Sequence, residues 1–107
     1  MSEGGSDAWS RLSKLLSALS NPTRLKILAL CAERERSSKE LRELLGISKP
    51  LLIAHLKVLM RAGLIEFRAE IDEVKYIVRK YYRTKDFRIC VGRDELLKLL
   101  REEGVKS

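Results

Sequence analysis

The chain has 107 residues, of which 45% are hydrophobic and 35% charged, so it has room for one domain and enough apolar residues for a core. Lys and Arg number 22 against 15 Asp and Glu, a formal charge of +7 that favours an acidic partner, with nucleic acid the first candidate. No apolar run approaches the ~18–20 residues of a membrane span, and the polar, acidic start MSEGGSDAWS is unlike a secretory or transit signal. The expected location is the cytoplasm. Two separated cysteines, Cys31 and Cys90, make no disulfide framework, and with the single His55 they offer no set of metal ligands, so neither metal nor cofactor is expected. The absence of Gln, a single Asn and abundant Glu, Lys and Arg match the composition of thermophile proteins.

Residues 1–7 are small and polar and read as a disordered lead-in to one domain over 8–103, with 104–107 a fraying tail. Trp9, Leu12, Leu15, Leu16 and Leu19 recur at helical spacing and predict a first helix over Ala8–Leu19. Asn21 as cap and Pro22 in the first turn restart a helix over Pro22–Glu33, expected to bury Leu25, Leu28 and Ala29 with Ile27 and Cys31. Ser37 and Glu40 have capping-box spacing and open a short helix, Ser38–Leu45, with Leu41, Leu44 and Leu45 inward and Gly46 ending it. Ser48 caps a helix over Lys49–Ala62, with Pro50 in its first turn and Leu52, Leu56, Leu59 and Met60 on its core face. The period then changes. Leu64–Ile71 and Val74–Tyr82 read as two strands joined at Asp72-Glu73. Phe87, Ile89 and Val91 alternate with polar neighbours and predict a further extended stretch, after which Asp94 is expected to cap a last helix running to Glu103.

A short helix, a glycine turn, a longer helix and a hairpin make the order of a helix-turn-helix followed by a wing, in which the second helix of the pair enters the major groove. Three blocks carry a family resemblance: Leu19-Ser20-Asn21-Pro22-Thr23-Arg24-Leu25-Lys26-Ile27-Leu28, then Glu40-Leu41 through Leu44-Leu45-Gly46-Ile47-Ser48, then His55-Leu56-Lys57-Val58-Leu59 with Ala62-Gly63-Leu64-Ile65. Over roughly residues 12–82 the chain resembles the ArsR-type winged helix-turn-helix regulators, in a variant that looks like an archaeal branch. The resemblance implies a mainly α fold with a small β-hairpin wing. It also implies a homodimer joined through its N- and C-terminal helices, with double-stranded DNA as partner. Metal-sensing members carry Cys-x-Cys ahead of the turn; here that stretch is Arg36-Ser37-Ser38-Lys39-Glu40-Leu41, and the last helix has no His, so metal sensing is not implied.

On this reading Lys49, Pro50, Leu51, Ile53, Ala54 and Lys57 face the major groove, and Thr23, Arg24, Lys39, Arg61, Lys75, Arg79 and Lys80 are candidate phosphate contacts. Trp9, Leu12, Leu16, Leu96, Leu97 and Leu100 are the expected dimer contact, because the two terminal helices carry more apolar surface than a domain this small covers alone. Tyr76, Tyr81 and Tyr82 are assigned to sheet and dimer packing, Cys31 to the core, and His55 to packing or a phosphate. Residues 49–93 hold eleven basic and five acidic residues and so carry +6 of the +7. The groove-facing side chains themselves are mostly apolar, which suits thymine methyls, shape and backbone contacts more than hydrogen-bonded base readout. No nucleophile-base set, phosphate loop or carboxylate pair points to an enzyme. The alternative function is a winged helix module that binds protein through its apolar helix, a reading that the acidic hairpin tip Glu70-Ile71-Asp72-Glu73 also favours. No effector is legible.

Overall fold

A computed structural model describes residues 7–104. The predicted lead-in and tail fall outside the described residues except at Gly104, whose N–H bonds the Arg101 carbonyl at 3.1 Å in a turn, and at Asp7, whose carboxylate accepts the Ser10 N–H at 2.7 Å and caps α1 (Ala8–Leu19). Asn21 caps α2 (Pro22–Glu33) through the Arg24 N–H at 3.1 Å, with proline in the first turn as expected. A two-residue strand, β1 (Arg36–Ser37), follows; it has no counterpart among the predicted elements. The capping box then forms in full, Ser37 Oγ accepting the Glu40 N–H at 3.1 Å and Glu40 accepting the Ser37 N–H at 3.0 Å, and opens α3 (Ser38–Leu45). Gly46 ends that helix at φ 66°, a left-handed conformation that glycine adopts without steric cost. Ser48 caps α4 (Lys49–Arg61).

The hairpin of β2 (Ile65–Asp72) and β3 (Ile77–Thr84) is antiparallel in the register Ile65↔Thr84 to Asp72↔Ile77, and β1 adds to the far side of β3, giving the order β1-β3-β2. The turn is longer and later than the sequence predicts. It spans 73–76, with Asp72 Oδ1 accepting the Val74 and Lys75 N–H groups and Tyr76 at φ 55°. Val74, Lys75 and Tyr76 are therefore tip residues, and Tyr76, 88% exposed, packs in no sheet. Residues 87–91 form no strand. The last helix, α5 (Arg93–Glu102), has Gly92 as its cap with no side-chain bond; Asp94 instead lies in the first turn, where its charge suits the positive end of the helix.

Ile27, Leu28 and Cys31 of α2, Leu41 of α3, Leu52, Leu56 and Leu59 of α4, Leu64, Ile65 and Tyr82 make the core, joined by Ala18 of α1. Leu25, Ala29 and Leu44, expected inside, are exposed, because α2 and α3 each bury a narrower stripe than their leucine content allows. Thr84 Oγ1 donates to the Leu28 carbonyl at 2.7 Å and ties the foot of the hairpin to α2. Among the described residues Arg36 is the one charged residue that is buried: its Nε donates to the Leu30 carbonyl at 3.1 Å, closing the end of α2, and its guanidinium pairs with Glu33. The molecule measures 63 × 25 × 22 Å with a radius of gyration of 17.4 Å, against ~13 Å for a compact domain of ~100 residues. That extension leaves the hairpin tip and α5 largely uncovered, and α5 contributes no buried residue.

Candidate nucleic-acid interface

On α4, Leu52, Leu56 and Leu59 point into the core. The opposite face carries Lys49, Pro50, Leu51, Ala54, Lys57 and Arg61, all exposed, with Ile53 half-buried between. The groove-facing residues expected from the sequence thus share the outer face of one helix, braced from behind by α3 through Gly46 and Ile47. Burial makes Cys31 inert, pushing its thiol up to about 12, while Cys90 is exposed.

A cleft of about 650 Å³ lies between the N-terminal ends of α3 and α4 and the outer edge of β3. Lys39, Lys49, Ile53, Arg79 and Lys80 all line it. The one acid on its wall, Glu40, already accepts the Ser37 N–H, and that bond, together with Arg34 nearby, holds its carboxyl below the usual range. The cleft is therefore bordered by four cations with no ion pair among the described residues, Arg79 and Lys80 standing on opposite faces of β3, and by one carboxylate already engaged.

Much of the hairpin's remaining charge is internally balanced. Strand residues opposite one another share a face, so Arg68, Glu70, Glu66, Arg79 and Arg83 stand together on one side. Arg68 makes a bidentate pair with Glu35 (2.9 Å to each oxygen), reaches Glu70 at 2.5 Å and stacks over Tyr81 at 4.8 Å; Arg83 pairs with Glu66. The regional excess of +6 is thus unevenly available, with Lys49, Arg79 and Lys80 of that region at the cleft. On the other face Lys80 sits 4.7 Å over the Phe67 ring. Nothing in the sequence pattern announces Glu35 as the partner of Arg68, since 33 residues separate them.

Not every expected contact gathers at the cleft. Arg61 stands at the far end of α4, Thr23 is half-buried in the first turn of α2, and Lys75 is on the hairpin tip rather than in a strand. Arg24 is engaged within the fold. Its Nε donates to the Ala18 carbonyl at 2.7 Å and its Nη2 to the Ser17 carbonyl at 3.2 Å, closing the end of α1, while Nη1 lies 3.3 Å from His55 Nδ1. This contact requires a neutral imidazole. Burial, then the Arg24 charge, lowers the His55 pKa below its ordinary 6.5. A histidine with a lowered folded pKa stabilises the fold fully above 6.5 and loses that contribution as pH falls below it. The urea midpoint should accordingly drop between pH 7.5 and 5.5, above the range where carboxylates titrate, and the drop should shrink in His55→Gln; equal slopes would contradict the contact.

Trp9, Leu96, Leu97 and Leu100 line a hollow of about 520 Å³ between α1 and α5, and Leu12, Leu15 and Leu99 line a second of about 370 Å³ with Leu96. Leu16 lies on α1 and is 40% exposed. Among the described residues no group of three or more His, Cys, Asp or Glu side chains is placed to hold a metal, and no helix is long and apolar enough to cross a membrane.

Residues 21–66, the span of α2, α3, α4 and the start of β2, match the family of bacterial regulatory proteins called the arsR family. An uncharacterized HTH-type transcriptional regulator of Methanocaldococcus jannaschii is 31% identical over 90 residues, covering 84% of this chain and 93% of that protein. The chain belongs to the ArsR family. Its fold is the winged helix-turn-helix, with α3 and α4 as the helix pair and β2–β3 as the wing. Two solved structures align with this ArsR-family chain along nearly its whole length. HlyU from Vibrio cholerae superposes with a TM-score of 0.66 at 26% identity, over 92% of this chain and 96% of that one. A homodimeric winged helix-turn-helix DNA-binding domain from Mycobacterium bovis, a possible ArsR-family regulator, does so with a TM-score of 0.64 at 26% identity, over 99% and 92%.

Proposed function

We propose that the chain is a homodimeric regulator that binds duplex DNA, laying α4 in the major groove and setting the cleft cations against the flanking phosphates. The observation that carries this reading is the convergence of Lys39, Lys49, Arg79 and Lys80 on one cleft, while Arg68 and Arg83 of the wing are neutralised by carboxylates. Phosphate contacts position such a protein and base-edge contacts specify the sequence. Here the base-edge set is Leu51, Ile53 and Ala54, flanked by Lys49, Pro50 and Lys57, which favours A·T-rich sites read through thymine methyls and groove shape. Arg61, Thr23 and Lys75 belong to the outer rim of the footprint, and Arg24 supports it by fixing α1 against α4.

The dimer is proposed through α1 and α5, whose facing leucines and Trp9 form open apolar hollows. The homodimeric state of the Mycobacterium bovis domain supports a dimer. Two-fold symmetry then calls for a pseudo-palindromic site with half-sites about one helical turn, ~10–10.5 base pairs, apart. Footprinting on genomic fragments should show discrete protection over such a repeat. Protection without discrete boundaries, or none at low salt, would contradict it. The protein-binding alternative rests on the exposed Leu51 and the acidic tip; it gains support only if Leu51→Ser with Ile53→Ser leaves DNA retention intact.

A further inference from the structure

We infer that the free edge of the wing is a self-association surface, at which β2 of one chain pairs antiparallel with β2 of a second copy about a two-fold axis at Ala69. Strand order places β2 at the margin of the sheet, with β3 on one side and, among the described residues, no strand on the other. The Lys85 N–H donates to the Leu64 carbonyl at 3.0 Å, which sets the phase of the antiparallel ladder. Because bonded and non-bonded pairs alternate, Leu64, Glu66, Arg68, Glu70 and Asp72 direct their backbone groups to β3, whereas Ile65, Phe67, Ala69 and Ile71 direct theirs outward. Ile71 is 70% exposed and Phe67 46%, although one side of the Phe67 ring meets Tyr82 and Lys80, so this edge keeps uncovered apolar surface beside its outward hydrogen-bonding groups.

An uncovered edge of this length is normally blocked by charges that repel a second strand. The charges on β2 are partly held within the chain, Arg68 by Glu35 and its own Glu70 and Glu66 by Arg83, and what remains of them favours one pairing. With Ala69 on the axis, Arg68 faces Glu70 of the second copy, Glu70 faces its Arg68, and Phe67 faces its Ile71. A shift of the axis by one residue in either direction brings Arg68 against Arg68 or Glu70 against Glu70. Of these three registers only the one centred on Ala69 joins outward backbone groups, opposite charges and apolar neighbours at once; one centred on Phe67 would set Arg68 against a Glu66 that Arg83 already holds and would draw the buried Ile65 into the pairing. The like-charged pair it leaves, Glu66 against Asp72, lies at the ends, where Arg83 pairs with Glu66 and the turn N–H groups bond Asp72. The product is a six-stranded sheet made from two three-stranded ones. The cleft beside α4 is on the opposite edge of the hairpin and stays open. On a duplex with two adjacent sites the contact would join neighbouring dimers, a consequence that rests on the DNA reading; the pairing itself does not.

Cysteine cross-linking without DNA tests the register in the full chain, with Cys90→Ser as background. Paired residues that exchange both hydrogen bonds have Cα atoms ~5.5 Å apart, within disulfide reach. Ala69→Cys should therefore oxidise to a covalent dimer about ten-fold or more faster than the exposed turn variant Val74→Cys. Phe67→Cys and Ile71→Cys should each cross-link slowly alone and rapidly when mixed. Ala69→Pro removes an outward N–H without touching the β2–β3 ladder, and should abolish association beyond the dimer in sedimentation at high micromolar concentration. An Ala69→Cys rate equal to that of Val74→Cys, no acceleration on mixing, or unchanged sedimentation of Ala69→Pro would overturn the proposal.

Discussion

Leu56→Ala should unfold at a markedly lower urea concentration than the parent chain, with a loss of about 2–5 kcal/mol. Leu56 is fully buried at the centre of α4, in a cluster with Ile27, Leu41, Leu52, Leu59, Leu64 and Tyr82 that draws on helices and hairpin alike. Truncation removes the transfer free energy of the side chain and leaves a cavity between elements that cannot all relax. Against a typical total stability of about 5–15 kcal/mol the loss is large, so the variant should be partly unfolded at physiological temperature. Urea titration at fixed protomer concentration, with an unchanged m-value, measures it. Leu51→Ala, on the same helix but 46% exposed, should move the midpoint little. If both variants lost the same stability, the assignment of the two faces of α4 would be wrong.

The second large effect is expected at the other end of the chain. Leu96→Glu combined with Leu100→Glu should convert the dimer to monomers in sedimentation at micromolar concentration and weaken operator binding by about 10²–10⁴-fold, because the two half-sites would no longer be engaged as one event. Since α5 buries no residue in the protomer core, far-ultraviolet circular dichroism should remain that of the folded chain. A variant that stays dimeric would place the interface elsewhere. One that becomes monomeric but binds the operator unchanged would separate dimerisation from recognition.

Much of this architecture was readable in the sequence wherever one residue type has one structural use. Asn21, Ser37 with Glu40, Gly46 and Ser48 each marked a helix boundary, and all of them act at those boundaries in the structure. The leucine period of α4 likewise separated its core face from its outer face. The misplacements have physical reasons. The β1 strand is two residues long and has no period; it exists because Tyr81 and Tyr82 offer a ladder to it. Asp94 has the composition of a cap, but Gly92 precedes the helix and the carboxylate falls in the first turn. Leu25, Ala29 and Leu44 are apolar enough for the core yet lie outside the stripe their helices bury.

The candidate site was legible as a set of residues and not as an arrangement. Charge counting found the basic region, and only three-dimensional pairing shows that Arg68 and Arg83 are neutralised while Lys39, Lys49, Arg79 and Lys80 are available. Lys39 precedes the others by at least ten residues and reaches them because the turn at Gly46 folds α3 back beside α4. Arg24 reads as a phosphate contact from its place in the second helix, but the backbone carbonyls left at the end of α1 claim its guanidinium.

The salt dependence of operator binding tests the central claim most directly. If a dimer sets the four cleft cations of each protomer against phosphates, log K should fall linearly with log salt with a slope of about −7. Lys49→Ala, which removes one contact from each protomer, should flatten that slope by about 2 with its fold and dimer intact. A slope near zero, or one that Lys49→Ala leaves unchanged, would contradict the placement of DNA in the cleft.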